Sequence, residues 1–276
     1  MKLYRGNAVS IAGSDSGGGA GIQADLKTWA ALKIFGMTAI TAVTAQNSTA
    51  VSAIWNVPPE MVRAQMDALW SDFTVNAAKI GMVSCPETIH EVAEGVRRWS
   101  VKNLVLDPVM ISQSGFTLME DEGVAVLTEE LLPLALLVTP NVPEAERLAS
   151  MAVKDQGDME KAALAIGKMG PQAVLVKGGH LPGETTVTDV LSIGGEITVF
   201  TIPGSSRRIP TNGCTSAPIT GESLRAFLSL RLCGVGRNES PHGAWKNFRP
   251  GRGWGPGACR LSPDRKMIFG SSRALG

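Results

Sequence analysis

Cysteine, histidine and tyrosine are scarce in this chain of 276 residues, at four, three and one respectively. No two of Cys85, Cys214, Cys233 and Cys259 form a C-x-x-C pair, and with so few histidines a structural zinc site is not expected. Free thiols are the reading for a reducing compartment. No apolar run approaches the roughly 20 residues that a membrane helix needs. The opening MKLYRGNAVSIAGSDSG is basic but breaks into Gly and Asp too soon for a signal peptide, so a cytoplasmic location without membrane contact is expected. Two familiar phosphate loops are missing as well. No Lys follows Gly17, Gly18, Gly19 and Gly21, which excludes a Walker A loop. A G-x-G-x-x-G begun at Gly17 would need glycine at position 22, where Ile22 stands.

What is present is the composition of a folded protein. Hydrophobic residues make up 44% and charged residues 18%, which argues against a disordered chain. The length suits one large α/β domain or two small ones, able to bury about three quarters of the unfolded surface. The net charge of +1 hides an asymmetry. From Gly204 onward stand 12 Lys+Arg against 3 Asp+Glu, whereas the preceding residues hold 14 basic and 22 acidic side chains.

From about Ala8 to Thr201, strand-like and helix-like patterns alternate. The runs AVSIAG, MTAITAVTA, AAKIGM, NLVLDPVM, ALLVTPN and AVLVKGG are short and almost wholly apolar, as buried parallel strands are. Between them, PEMVRAQMDALWSDF and PETIHEVAEGVRRWS carry apolar residues at helical spacing with Pro in the first turn. DMEKAALAIGKMG opens on an Asp cap and closes at a glycine stop. TDVLSIGGEITVF reads as a hairpin around Gly194 and Gly195. Strand–helix alternation predicts an α/β fold, a central mostly parallel sheet with helices on both faces. After Gly204 the composition turns Gly-, Arg- and Trp-rich without sustained periodicity. The chain is therefore divided into a domain over residues 1–220 and an atypical basic, poorly ordered or aberrant segment over 221–276.

In doubly wound sheets, ligands bind beyond the carboxyl ends of the strands, and the polar residues fall at those ends. The run SIAGSDSGGGAGIQADLK joins a strand to a helix through glycines that permit close approach of the backbone to a ligand. Gln46, at the end of TAVTAQNS, offers a donor and an acceptor to a ligand, or serves as a turn residue. Met82 in KIGM suits an apolar wall. Asp107, closing NLVLD, is either a Mg²⁺ carboxylate or a cap. Asn141 and Glu144 in TPNVPEAE form a capping pair at a helix start, which is also an anion site. Lys177, with Gly178 and Gly179, suits phosphate contact by charge and backbone.

Together, SIAGSDSGGGAGIQAD, TAQN, KIGM, DPVM, TPNxxEAE and VKGGH resemble the hydroxymethylpyrimidine and phosphomethylpyrimidine kinases of thiamine biosynthesis, in the ribokinase-like superfamily. The resemblance covers roughly residues 8–201. It implies an ATP- and Mg²⁺-dependent phosphotransferase acting on 4-amino-5-hydroxymethyl-2-methylpyrimidine and its monophosphate. It places Gly13, Asp25, Gln46 and Met82 at the substrate, and Asp107, Asn141, Glu144, Lys177 and Gly179 at the nucleotide. Asp107 and Glu144 would lie at the metal. Lys177, Gly213 and Cys214 would be catalytic, with backbone amides around Gly213 as an anion hole and Cys214 as the base or hydroxyl positioner. A homodimer is implied too, and no specific nucleic-acid partner.

The pattern breaks near the anion hole. The family reads T-H-G-T-G-C-T-L-S-S-A-I there, and this chain reads IPTNGCTSAPIT. Gly213, Cys214 and Thr215 match, while Thr211 replaces a glycine and Pro218 enters the expected helix. The long C-terminal helices of the family have no counterpart. The segment from about Gly204 reads as the product of a reading-frame shift, a sequencing error or gene decay. Three alternatives stand beside the kinase reading: a pyridoxine/pyridoxal-type kinase, a catalytically impaired pyrimidine-binding protein, and a basic RNA- or DNA-binding tail on an inactive kinase body.

Overall fold

The computed structural model describes Tyr4 and residues 6–47, 49–111, 117–178 and 186–203, together with 260–261 and 267–268. The chain begins with β1 (Asn7–Asp15), α1 (Gly21–Ala31), β2 (Phe35–Gln46), β3 (Val51–Asn56) and α2 (Pro59–Asp72). Next come β4 (Ala77–Ile80), α3 (Pro86–Arg98), β5 (Leu104–Leu106) and α4 (Asp121–Val126), which runs on through two short turns to Leu134. β6 (Leu137–Val138), α5 (Val142–Ala149), α6 (Gln156–Gly167) and β7 (Ala173–Lys177) follow, and β8 (Thr186–Ile193) and β9 (Glu196–Pro203) close the sheet.

Nine strands form one sheet in the order β3-β2-β1-β4-β5-β6-β7-β8-β9. The pairings from β2 through β1 and β4 to β7 are parallel, and the two edges are antiparallel. This is the expected central, mostly parallel sheet. The β8–β9 hairpin turns at Gly194 and Gly195, both at positive φ, as their glycines suggest.

Strand parity separates two cores. Val9, Ile11, Ala78, Ile80, Leu104, Leu106, Val174 and Val176 face α2, α3, α5 and α6. Ala8, Ala77, Val105, Leu137, Ala173, Leu175 and Leu191 face the other way, with Trp29 of α1 packed on them. Helices thus lie on both faces, and burial on two sides explains why the central strands read as unbroken apolar runs.

Three local features differ from the sequence reading. β3 is an additional strand, antiparallel at the edge. Most of its residues are exposed, including Trp55 at 70%, so it lacks the apolar run that marks the others. α6 begins one residue after Asp155 rather than at Asp158: the Asp155 carboxylate accepts the Asp158 N–H at 2.9 Å. Asp158 instead lies in the first turn, where negative charge complements the helix dipole. In the 221–276 segment, Arg260–Leu261 and Met267–Ile268 pair as two short antiparallel strands, β10 and β11. Gly213, Cys214, Gly179 and the rest of the basic segment lie outside the described residues.

Candidate functional site

The glycine-rich turn is built around Asp15. Its buried carboxylate accepts the N–H groups of Gly17, Gly19 and Ala20 at 2.8, 2.9 and 2.8 Å. These bonds occupy turn amides that are open to a ligand in a phosphate loop, and they cap the start of α1, where Ala20 offers no side chain. Gly21 closes the turn at φ +57°, and a Cβ there would run into the carbonyl oxygen of Gly13. Gln23 completes the turn, accepting the Asp15 N–H at 2.9 Å and donating to Ser14 Oγ at 2.7 Å.

Gly13, Gln46 and Met82 come together beside this turn. The β1–β2 register shifts between Ala12 and Ser14, where Gly13 stands against two residues of β2, Thr41 and Ala42, and the β2–β3 register shifts between Ala45 and Gln46. Bulges re-aim side chains and are common beside active sites. A Cβ on Gly13 would lie 3.2 Å from Met82 Sδ, so glycine is what leaves room between the ends of β1 and β4. Ser16 ties Gln46 to the turn, donating to its carbonyl at 2.7 Å and accepting its N–H at 2.8 Å. Gln46 and Met82 are half-buried. Asp25 is placed differently. It is buried on α1, with Lys79 Nζ at 2.8 and 3.0 Å from its two oxygens and Ser10 Oγ donating at 2.6 Å. Its carboxylate is committed to Lys79 and Ser10.

A second cluster sits at the carboxyl ends of β5, β6 and β7. Lys177 Nζ lies 3.0 Å from Asp107 Oδ1, and Thr139 donates to the same oxygen at 3.2 Å. Asn141 and Glu144 form the capping box of α5: Asn141 Oδ1 accepts the Glu144 N–H at 2.9 Å, and Glu144 Oε2 accepts the Asn141 N–H at 2.8 Å. Burial pushes the Glu144 carboxyl up to about 7. Lys177 opposes that shift and Asp107 adds to it. Asp107, Asn141, Glu144 and Lys177 are therefore brought together.

Four residues escaped the sequence reading: Ser10, Lys79, Thr139 and Asp189. They follow from strand parity. Each stands two residues from an apolar residue of the second core (Ala8, Ala77, Leu137 and Leu191), so the face that is apolar in mid-sheet turns polar near the ligand end. Asp189 on β8 is opposite Lys177 and accepts the Gly178 N–H at 3.0 Å. Asp25, Lys79, Asp107, Lys177 and Asp189 thus lie under the carboxyl edge, all buried and alternating in sign across the sheet.

Among the described residues no group of three or more His, Cys, Asp or Glu is arranged to hold a metal ion. The donor set nevertheless fits Mg²⁺, which is commonly held by one or two carboxylates together with phosphate oxygens and water. Asp107 and Glu144 supply two such carboxylates. A cation there would also relieve the repulsion between them, which raises the Glu144 carboxyl.

Comparison with known proteins shows the family and the fold. The sequence pattern of the phosphomethylpyrimidine kinase family matches residues 15–228, beyond Gly204 and past Gly213 and Cys214. The hydroxymethylpyrimidine/phosphomethylpyrimidine kinase of Rhizobium meliloti is 51% identical over 227 residues, 81% of this chain and 84% of that protein. The crystal structure of phosphomethylpyrimidine kinase from Clostridium difficile superposes with a TM-score of 0.70 at 38% identity, covering 87% of this chain and 94% of that one. Bacillus subtilis pyridoxal kinase in its ADP complex gives a TM-score of 0.71 at 32% identity, covering 89% and 90%. Among the described residues no helix is long and apolar enough to cross a membrane.

Proposed function

The chain belongs to the phosphomethylpyrimidine kinase family, and on that footing we propose that it transfers the γ-phosphoryl group of ATP to 4-amino-5-hydroxymethyl-2-methylpyrimidine and then to its monophosphate. The observation that carries this reading is the pairing of two half-sites along one sheet edge. Gly13, Gln46 and Met82 border one, and Asp107, Asn141, Glu144 and Lys177 make the other.

In the first half-site, Gln46 presents a carboxamide to the amino and ring-nitrogen edge of the pyrimidine. Met82 walls the ring, and Gly13 keeps the space open. Asp25 acts from below through Lys79. In the second, Lys177 offsets phosphate charge and Asn141 fixes the start of α5, whose first turn faces the anion. Asp107 and Glu144 would hold Mg²⁺, which supplies neutralisation of charge on the transferring phosphoryl oxygens. Gly179 extends the phosphate contacts of Lys177. The amides around Gly213 form the anion hole, and Cys214 takes or orients the hydroxyl proton; a helix N-terminus lowers a thiol's pKa from about 8.5. A cytoplasmic homodimer completes the proposal.

ATP consumption by the purified protein with the pyrimidine alcohol and Mg²⁺, alongside substrate binding, tests it. Turnover supports the kinase. Binding without turnover means that the departures around Thr211 and Pro218 have cost catalysis. Cys214→Ala is expected to abolish transfer and leave pyrimidine binding intact, and unchanged turnover would remove Cys214 from the chemistry. The likeness to a pyridoxal kinase favours one second reading, an aromatic vitamin alcohol of the pyridoxal type. Turnover measured on both alcohols separates the two.

A further inference from the structure

Lys177 is held from three directions. Its N–H donates to Pro140 O at 2.8 Å, its ammonium lies 3.0 Å from Asp107 Oδ1, and the N–H of the next residue, Gly178, donates to Asp189 Oδ1 at 3.0 Å. The first tie joins β7 to the segment after β6, and the second joins it to the end of β5. The third comes from the neighbouring antiparallel strand β8, where Asp189 stands in register with Lys177. Gly178 has no room to shift toward β8, because a Cβ on it would collide with the Thr188 carbonyl oxygen.

Asp189 is 3% exposed, and among the described residues it makes no salt bridge. A carboxylate in such a place is costly to bury, and burial pushes its pKa up. A purely structural strand position would be filled more cheaply by an apolar or hydroxyl side chain. What the carboxylate does is fix the Lys177–Gly178 peptide plane at the point where the strand meets the ligand edge. Phosphate affinity gains when the groups that meet it are held in place before the ligand arrives.

We propose that Asp189 is a positioning residue for the nucleotide: by accepting the Gly178 N–H it orients the Lys177–Gly178 peptide at the end of β7 toward the polyphosphate of a nucleoside triphosphate. It does not touch the nucleotide itself and does not serve the pyrimidine half-site. The inference rests on the kinase reading above for the identity of the ligand.

The test uses the full chain and two variants. In Asp189→Asn the carboxamide oxygen can still accept the Gly178 N–H, and in Asp189→Ala the acceptor is lost. ATP affinity is measured by calorimetry, pyrimidine affinity in parallel, and Gly178 amide hydrogen exchange by NMR. Asp189→Ala is expected to weaken ATP about 10-fold or more while pyrimidine affinity changes less than about 2-fold, and to speed Gly178 exchange. Asp189→Asn is expected to restore ATP affinity to within about 3-fold of the parent. Equal losses for both ligands, or an Asn variant as poor as the Ala variant, would overturn the proposal. If the Ala variant does not fold, the parent protein decides: slow Gly178 exchange upholds the bond, and exchange at the rate of an open amide overturns it. A parent that binds ATP without phosphorylating the pyrimidine defeats the kinase reading but leaves this test intact.

Discussion

The Lys79 ammonium reaches both carboxylate oxygens of Asp25, at 2.8 and 3.0 Å, with the two side chains almost wholly shut off from solvent. The pair joins α1, which carries the glycine turn, to β4, which leads to Met82. Removing one partner strands the other charge in the interior, so Lys79→Met and Asp25→Leu should each cost about 3–5 kcal/mol. The double variant should recover much of that loss, since neither charge is then left alone. Urea denaturation of the four proteins checks it, and strictly additive losses would mean that the pair is not coupled.

Glu144 gives the chain a pH signature. Its folded carboxyl titrates near 7 instead of 4.5, so between those values the folded chain holds a proton that the unfolded chain releases. The contribution of Glu144 to stability is therefore fully present below 4.5 and is lost as pH rises toward 7. Glu144→Gln keeps an oxygen for the Asn141 N–H and removes the charge. In buffer free of magnesium and nucleotide it should be more stable than the parent at pH 8, by on the order of 2–3 kcal/mol, and the gap should close at pH 4.5. Its phosphoryl transfer should fall sharply.

Gly21 permits no side chain. Its φ of +57° disfavours any L-residue, and the Gly13 carbonyl occupies the Cβ direction. Gly21→Ala should cost about 2–4 kcal/mol, adding left-handed strain to the collision. A melting temperature within a degree or two of the parent would show that the turn can rearrange around Asp15.

Gln46 should govern one substrate and not the other. Gln46→Ala is expected to raise KM for the pyrimidine alcohol by about 10–100-fold, the range for hydrogen bonds lost in a partly buried site. KM for ATP should stay within about 2-fold, because the Asp107–Lys177 half-site is formed by other strands. Steady-state kinetics with each substrate varied in turn provides the measurement.

The sequence was most legible where burial was complete. β1, β4, β5, β6 and β7 announce themselves as apolar runs because both faces of the sheet are covered, and the capping box at Asn141 and Glu144 is written in the spacing itself. β3 escaped because Trp55, Ser52 and Ala53 lie exposed on an edge, where no apolar pattern is required. Lys79 escaped because its charge is compensated by Asp25, 54 residues away in sequence, which no local pattern reveals. The glycine turn was recognised as a close-approach segment, but its organising residue is Asp15, whose carboxylate occupies three turn amides. The same limit applies to Asp189, which acquires its meaning only when the β8 hairpin folds back beside Lys177.

The position of β1 carries a consequence for how the chain is made. It leaves the ribosome first, yet in the finished sheet it lies between β2 and β4. β2 can dock once residue 46 has emerged, but the opposite edge of β1 waits for Ala77–Ile80. Until then a strand of buried residues presents unpaired backbone to solvent, the state most open to pairing with another nascent chain. Stalling or truncation between residues 46 and 77 should therefore favour aggregates, whereas chains extended past residue 80 can close that edge.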